Sequence, residues 1–188
     1  MQAGVRITGG YWRGRRLPVV KGVRPSSGRV REALTSHWQA RIIEARFLDV
    51  CAGSGAMSFE VLGRGAALAV AIDSSDVATQ RIRLSAREWG ADALQVQRRK
   101  VPDELAAVKG PFDLIFADPP YDFVSLENLL LRLVPLLAEQ GECAVETRAN
   151  TCLPECVAGL SMVWRRDYGD SKLSIYQHCA VGHDPGVV

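Results

Sequence analysis

Apolar and polar positions repeat with two alternating periods between Phe47 and Glu146. Short runs rich in β-branched and aromatic residues alternate with stretches whose apolar positions recur at helical spacing. The runs predict strands at 47–50, 68–72, 94–97, 112–117 and 142–146. The stretches predict helices at 57–64, 76–89, 102–108 and 126–137. This alternation is typical of an α/β fold built from βαβ units, with a mostly parallel sheet and helices on both faces.

The pattern changes on both sides of this region. After Asn150, strand-like runs at 162–168 and 173–179 flank Gly169-Asp170-Ser171, where the chain can reverse as an antiparallel hairpin. Five parallel strands followed by such a pair predict the seven-stranded sheet of a Rossmann-like class I methyltransferase. Ahead of the sheet, 5–7 and 15–20 predict a short twisted hairpin rather than a core element. Residues 29–43 predict a helix packed on the sheet, with Ser26 or Ser27 as its N-cap.

Positive charge is concentrated at the start of the chain. Residues 1–46 hold ten Lys or Arg and two acidic residues, a net charge of +8, so the remainder sums to −6 of a total of +2. The asymmetry predicts a basic RNA-binding extension at 1–45 and a catalytic domain at 46–188. The alternative is a well-solvated basic surface without a nucleic-acid partner.

Several classes of protein are not expected from the sequence. No run approaches the roughly 18 apolar residues that span a bilayer, and Arg6 and Gly9-Gly10 stand where a signal peptide would be apolar. A cytoplasmic protein without membrane contact is therefore expected. The five cysteines include no short-spaced pair of the zinc type, so most of them are expected to be small buried apolar residues and no metal site is predicted.

A glycine-rich loop joins the first long strand to a helix. It comprises Cys51, Ala52, Gly53, Ser54 and Gly55, and Asp49 precedes it. Glycines there let the backbone approach a ligand, although a simple tight turn has the same composition. Asp49 would repel a pyrophosphate but could pair with the α-ammonium group of a methionine moiety. Asp73, at the end of the next run, could accept both ribose hydroxyls of either S-adenosylmethionine or NAD, or simply cap a helix.

Asp118-Pro119-Pro120-Tyr121 follows a buried strand and separates these possibilities. Prolines donate no backbone hydrogen bond and fix φ, so Asp118 and the Pro119 carbonyl are expected to be fixed acceptors. Two acceptors match the two hydrogens of an exocyclic base amine, and Tyr121 offers a face for base stacking. The motif predicts methylation of a base amine from S-adenosylmethionine, whereas a rigid loop without catalysis is the alternative.

The N-terminal segment is expected to provide the nucleic-acid-binding surface. A target base has to be unpaired or flipped before its amine can react. Phosphates would be contacted by the basic residues of this segment. The predicted RNA-binding residues are Arg6, Arg13, Arg15, Arg16, Arg24, Arg29 and Arg31. Of these, Arg29 and Arg31 lie off the apolar stripe of the predicted helix and are expected to face a ligand or solvent.

Over nearly its whole length the sequence resembles the bacterial enzymes that methylate N2 of one guanine in 16S ribosomal RNA, often called RsmD-like. The resemblance rests on residues 6–17, 24–32 and 49–56, on Asp118-Pro119-Pro120-Tyr121, and on Tyr168-Gly169-Asp170-Ser171. The arginine-rich pieces are specific to this branch, since Asp-Pro-Pro-Tyr also occurs in adenine-N6 DNA methyltransferases and in amine methylators of proteins. The resemblance implies a monomer that acts on 16S ribosomal RNA in the small subunit or its assembly intermediate.

Two positions depart from the family pattern. Gly28 stands where the family usually has Asp, and Arg98-Arg99-Lys100-Val101 occupies the region where an Asp or Asn commonly contacts adenine. Two alternatives to the RNA methyltransferase therefore stay open. One is a DNA adenine-N6 methyltransferase, which normally needs a target-recognition region that a chain of 188 residues is not expected to contain. The other is a catalytically silent RNA-binding or ribosome-assembly protein.

Overall fold

The structure is a computed structural model that describes residues 4–18, 28–120, 123 and 125–179. The first elements are an antiparallel pair, β1 (Gly4–Arg6) and β2 (Arg16–Pro18), and helix α1 (Gly28–His37). The predicted hairpin and helix are thus confirmed. However, α1 ends at His37 rather than at residue 43, and turns that include Glu44 at φ 60° follow it. The N-cap predicted at Ser26 or Ser27 lies outside the described residues.

The main sheet has eight strands, of which five are parallel. The parallel strands are β3 (Arg46–Val50), β4 (Leu68–Asp73), β5 (Leu94–Arg98), β6 (Phe112–Ala117) and β7 (Leu137–Arg148). The antiparallel strands are β8 (Cys156–Val157), β9 (Leu160–Tyr168) and β10 (Ser171–His178). The order is β5-β4-β3-β6-β7-β10-β9-β8, with β10 inserted between β7 and β9. The Rossmann-like sheet is confirmed, and two-residue β8 extends the predicted seven strands to eight.

Helices cover both faces of the sheet, because successive strand side chains point to opposite sides. The remaining helices are α2 (Ala56–Leu62), α3 (Asp76–Trp89) and α4 (Leu126–Leu133), with short 3-10 helices at Asp103–Ala107 and Val134–Leu136. On one face, α1, α2 and α3 pack against strand residues such as Phe47 and Leu114. On the other face, α4 and the first 3-10 helix pack against Leu48 and Ile115.

The N-terminal hairpin belongs to the first of these two cores. Val5, Ile7 and Leu17 are buried and pack in the same cluster as α1, α2 and α3. The expectation that the hairpin is not a core element is therefore wrong. The alternating apolar positions of two three-residue strands are enough to bury one side of the hairpin, which leaves its other side to the arginines.

The predicted helix at 126–137 is shorter than expected because of Pro135. A proline inside an α-helix removes a backbone hydrogen bond and clashes with the preceding turn. Accordingly α4 ends at Leu133, and a 3-10 turn carries the chain into β7 at Leu137, five residues before the predicted start of that strand. The 3-10 helix at Asp103–Ala107 likewise replaces the α-helix predicted at 102–108.

Candidate active site

Three carboxylates lie where three neighbouring parallel strands end. Asp49 is the penultimate residue of β3, Asp73 ends β4, and Asp118 directly follows β6. β3 lies between β4 and β6, and the Asp118 N–H donates to the Val50 carbonyl at 3.1 Å. The strand order reverses here, since the chain runs outward from β3 to β5 on one side and resumes at β6 on the other. Open parallel sheets bind ligands at such a switch point, so this edge is the candidate active site.

The loop after β3 turns back sharply through residues with positive φ. Cys51, Gly53 and Gly55 have φ values of 61°, 56° and 76°. The Ala52 N–H donates to the Ile72 carbonyl at 2.9 Å, which draws the loop towards the end of β4. A Cβ at Gly55 would lie 3.0 Å from Ile82 of α3, so both the backbone angle and the close packing favour glycine there. The glycines therefore form a tight turn that keeps the loop backbone among the three carboxylates.

Asp49 is buried beneath this loop. It is 1% exposed, and its Oδ2 accepts hydrogen bonds from the Ser58 backbone N–H at 3.1 Å and from Ser58 Oγ at 2.7 Å. Burial raises the pKa of Asp49 to about 7 although the Ser58 hydrogen bonds oppose the shift, and the charges of Asp118 and Asp73 raise it further. Asp49 thus anchors the first turn of α2, and its predicted contact with an ammonium group stays a prediction.

Asp73 links the glycine loop to the start of α3. Its Oδ2 accepts from the Gly53 N–H at 2.8 Å, and its Oδ1 accepts from the Ser75 N–H at 2.8 Å. The N-cap of α3 is Ser75, whose side chain accepts from the Ala78 N–H. The alternative that Asp73 is itself the helix cap is therefore wrong. Each of the two Asp73 carboxylate oxygens can accept a second hydrogen bond. The carboxylate can therefore accept one hydrogen bond from each of two ribose hydroxyls.

The Asp-Pro-Pro segment leaves the sheet beside Asp49. Asp118 is half-buried, Pro119 is buried and Pro120 is exposed. The Phe123 N–H donates to the Pro120 carbonyl at 2.9 Å. Tyr121 lies outside the described residues, and its stacking role stays a prediction.

The electrostatics of this edge favour a cationic ligand. Burial raises the pKa of Cys51 to about 12, and the nearby charges of Asp73, Asp118 and Asp49 add to the shift. S-adenosylmethionine carries a sulfonium and an ammonium group, which three converging carboxylates would attract. A dinucleotide carries a negatively charged pyrophosphate, which the same carboxylates would repel. The residues present therefore fit S-adenosylmethionine better than NAD.

Most of the arginines predicted to bind RNA reach solvent. The exposed ones are Arg6, Arg13, Arg15, Arg16 and Arg29. The Arg15 guanidinium lies over the Trp89 ring, 4.9 Å from its centroid, and Arg16 donates to the Gly4 carbonyl at 3.1 Å. Arg24 lies outside the described residues. Contact between these side chains and RNA stays a prediction.

Arg31 is the exception, because its side chain is buried. It is 3% exposed, its Nη2 donates to the Arg6 carbonyl at 2.9 Å, and its Nε lies 3.8 Å from Glu60 Oε1. Burial lowers the pKa of Arg31, and the charges of Glu60 and Glu146 oppose that shift. The expectation that Arg31 faces a ligand or solvent is therefore wrong, because this cation joins α1 to the hairpin and α2.

Glu60 is a residue that the sequence analysis missed. Its side chain is fully buried in α2, where Oε1 accepts from the Thr8 N–H at 2.6 Å and Oε2 accepts from the Gly9 N–H at 3.1 Å. Arg64, one turn further on, pairs with the same carboxylate. The only local signal for Glu60 is its i,i+4 spacing to Arg64, since Thr8 and Gly9 lie about fifty residues earlier in the chain.

Arg98-Arg99-Lys100 lies beside Asp73 at the end of β5. The Arg99 N–H donates to the Asp73 carbonyl at 3.0 Å, and the Arg98 side chain donates to the Ser74 carbonyl at 3.2 Å. The departure from the family pattern therefore falls next to the predicted ribose site. The Lys100 N–H donates to Glu104 Oε2 at 2.7 Å, so the backbone N–H groups of Arg99 and Lys100 both have partners within the protein.

The described residues contain neither a membrane-spanning helix nor a cluster of metal ligands. No helix in that part of the chain is long and apolar enough to cross a membrane. Within the same residues, no three His, Cys, Asp or Glu side chains are grouped so that they could hold a metal ion.

Comparison with known proteins identifies the family. The model of the family described as Conserved hypothetical protein 95 matches residues 5–177. The chain belongs to this family. A relative, ribosomal RNA small subunit methyltransferase D of Escherichia coli K12, is 34% identical over 182 residues, which cover 95% of this chain and 92% of that protein. The protein of the same name from Haemophilus influenzae is 33% identical over 143 residues, covering 73% and 72%.

Solved structures agree with this family assignment. The Escherichia coli protein yhhF has a TM-score of 0.84 at 34% identity, covering 94% of this chain and 98% of that one. The Thermus thermophilus protein TTHA0928 has a TM-score of 0.79 at 30% identity, covering 92% and 99%. The resemblance and the fold inferred from the sequence are thus confirmed. This member of the Conserved hypothetical protein 95 family is a methyltransferase.

Proposed function

We propose that this chain transfers a methyl group from S-adenosylmethionine to the exocyclic N2 amine of a guanine in 16S ribosomal RNA. The meeting of Asp49, Asp73 and Asp118 at one sheet edge carries the proposal, because it joins a cation-binding loop to an amine-binding motif. Support for the RNA comes from the Escherichia coli relative, which is named ribosomal RNA small subunit methyltransferase D. The substrate would be the small subunit or its assembly intermediate, met by a monomer in the cytoplasm.

In the proposed mechanism, the residues after β6 hold the amine. The Asp118 carboxylate and the Pro119 carbonyl each accept one N2 hydrogen, and Tyr121 stacks on the guanine. When bound, S-adenosylmethionine would supply an electrophilic methyl group. The N2 electron pair would form the new N–C bond as the S–C bond breaks, with that bond's electrons left on the sulfur of S-adenosylhomocysteine. Asp118 orients the amine and holds the proton that N2 gives up, which passes on to water. Positioning of this kind can supply much of the acceleration without a metal or a covalent intermediate.

The other proposed site residues bind the substrates. Asp73 accepts the ribose hydroxyls of the methyl donor, and Asp49 favours its ammonium group from beneath the loop. The loop residues Cys51, Ala52, Gly53, Ser54 and Gly55 contact it through their backbone. Phosphates of the RNA are contacted by Arg6, Arg13, Arg15, Arg16, Arg24 and Arg29. Arg31 is left out because it is buried.

Nucleoside analysis tests the proposed reaction. Small subunits lacking the modification are incubated with the protein and S-adenosylmethionine, and their 16S RNA is digested and analysed by mass spectrometry. We expect one additional N2-methylguanosine per subunit. Duplex DNA is incubated with the protein in parallel, and the formation of N6-methyladenine there instead would support a DNA methyltransferase. An absence of S-adenosylmethionine binding in calorimetry would support a silent RNA-binding protein.

Replacement of Asp118 by alanine tests its proposed catalytic role. The variant loses the acceptor that orients the amine, so we expect kcat to fall by at least about 100-fold. The affinity for S-adenosylmethionine, measured by calorimetry, should change little. Asp92→Ala is the matched control, because Asp92 is an exposed carboxylate between α3 and β5. Full activity of Asp118→Ala would show that the catalytic assignment is wrong.

A further inference from the structure

An aromatic ring is exposed at the turn of the basic hairpin. Tyr11 is 84% exposed, the highest fraction among the large apolar side chains that the structure describes as exposed. Arg13, Arg15 and Arg16 follow within five positions and are also exposed. The ring therefore stands in a strongly cationic neighbourhood that none of the proposed catalytic steps uses.

The turn that carries Tyr11 is firmly held. The Tyr11 N–H donates to the Gly63 carbonyl at 2.7 Å, and Gly10, at φ 70°, packs so closely that a Cβ there would overlap that carbonyl. Trp12 is buried, and its Nε1 donates to the Trp89 carbonyl at 3.1 Å. The Tyr11 ring meets the Trp12 ring edge to face, with centroids 5.6 Å apart. A ring held in place this way loses little conformational entropy when a partner covers it.

Tyr11 lies away from the candidate active site. It contacts Gly63, just past the C-terminal end of α2, whereas the glycine loop precedes the N-terminal end of that helix. A helix of seven residues is about 10 Å long, so Tyr11 and the reacting base are separate contacts. A base on Tyr11 would therefore be another nucleotide of the same RNA.

We propose that Tyr11 stacks on an unpaired base of the RNA substrate while Arg13 contacts a neighbouring phosphate. The inference rests on the proposed function, because it takes RNA as the partner. Charge complementarity favours a polyanion over an apolar protein surface, since the exposed side chains that follow the Tyr11 ring are those of arginines, whereas Trp12 is buried. Exposed aromatic rings between cations bind single strands by stacking, and every base has a face that can stack.

Fluorescence of a Tyr11→Trp variant tests the stacking directly. Single-stranded A12 RNA should quench the new tryptophan, whereas a 12-base-pair RNA duplex, whose bases are already stacked, should not. The same titration of the wild-type protein gives the background fluorescence of the four native tryptophans, which is subtracted. Leu131→Trp is the matched control, because Leu131 is 50% exposed on α4, on the opposite face of the sheet. Equal quenching of the Tyr11→Trp and Leu131→Trp variants would overturn the proposal.

Affinity measurements with the full chain separate stacking from charge. Tyr11→Leu should bind A12 about 5- to 150-fold more weakly than wild type and bind the duplex equally well, whereas Tyr11→Phe should keep the wild-type affinity. Arg13→Ala should weaken both complexes. Unchanged A12 affinity of Tyr11→Leu, or no A12 binding by wild type, overturns the proposal. None of these assays needs methyl transfer, so failure of the proposed reaction would be seen separately in the nucleoside analysis.

Discussion

At the scale of single residues, Asp49 is a buried carboxyl group whose ionisation costs free energy. Its pKa is raised from 3.8 to about 7, mainly because burial disfavours the charged form. Between about pH 4 and pH 7 the folded protein keeps a proton that the unfolded chain releases. The contribution of Asp49 to stability therefore falls as pH rises through that window. A cation bound nearby favours the ionised form, so binding of the methyl donor should release a proton.

We expect the affinity for S-adenosylmethionine to rise with pH because of this proton release. If the ligand lowers the pKa of Asp49 by about one unit, the affinity at pH 7 should be about fourfold that at pH 5.5. Calorimetry in buffers of different ionisation enthalpy measures both the affinity and the released proton. Asp49→Asn should remove the pH dependence while keeping an oxygen that accepts from Ser58. Equal wild-type affinities at the two pH values would contradict the expectation.

Arg31 and Asp73 show which residue environments the sequence could reveal. Asp73 directly follows the predicted strand at 68–72 of a parallel sheet, so topology alone places it at the ligand-binding edge. For Arg31, the prediction that the side chain lies off the apolar stripe is wrong, because Arg31 is on the buried side of α1 together with Leu34 and Thr35. Its partners, Glu60 and the Arg6 carbonyl, are distant in sequence and make the burial of this cation possible. The local pattern assigns a charged residue to the solvent side when the partners that would bury it come from other elements.

At the scale of elements, one buried carboxylate joins the basic hairpin to α1 and α2. Glu60 accepts hydrogen bonds from both backbone and side chain of Thr8 and from the Gly9 N–H, and it pairs with Arg31 and Arg64. Removing one member of a buried ionic network leaves the others without compensation, which is strongly destabilising. The position of the hairpin, and with it of the arginines, therefore depends on a residue of α2.

Replacing Glu60 by Gln should loosen this attachment. We expect the free energy of unfolding to fall by about 3 kcal/mol, because the buried Arg31 loses one of its counter-charges and one amide oxygen replaces two carboxylate oxygens. Urea denaturation measures the loss, and hydrogen exchange should quicken at the Thr8 and Gly9 amides. Glu127→Gln on α4 is the control, since Glu127 is exposed. Equal stabilities of the two variants would show that Glu60 does not hold the hairpin.

The elements themselves were largely predictable. The period of apolar positions gives β6 at Phe112–Ala117 and α3 at Asp76–Trp89 with the bounds that the structure has. The errors occur where another effect overrides the period, as at Pro135, which ends α4 early. Three-residue strands such as β1 are too short for their pattern to show burial, so the core role of the hairpin could not be seen.

At the scale of the whole molecule, the three carboxylates of the candidate active site lie apart from the arginines of the hairpin, although Arg98-Arg99-Lys100 lies beside Asp73. Carboxylates gather at the carboxyl ends of β3, β4 and β6, while exposed arginines occupy the hairpin and the start of α1. The sequence shows the imbalance between the first 46 residues and the remainder, but only the fold brings Asp49, Asp73 and Asp118 to one edge. Under the proposed function, a cationic cofactor and a polyanionic substrate would each meet opposite charge.

This separation predicts different salt dependences for the two ligands. RNA binding should weaken steeply with salt because phosphate contacts release counterions, and each arginine removed should lower the slope of log affinity against log salt by about 0.7 for a single strand. Arg13→Ala and Arg29→Ala should therefore each reduce the slope, measured with A12 RNA between 50 and 200 mM KCl. Arg132→Ala, an exposed arginine on the opposite face, should leave it unchanged. The affinity for S-adenosylmethionine should vary little over the same range, since Asp49 is buried and Asp73 partly buried. An equal loss of slope in all three variants would mean that RNA does not use the hairpin surface in particular.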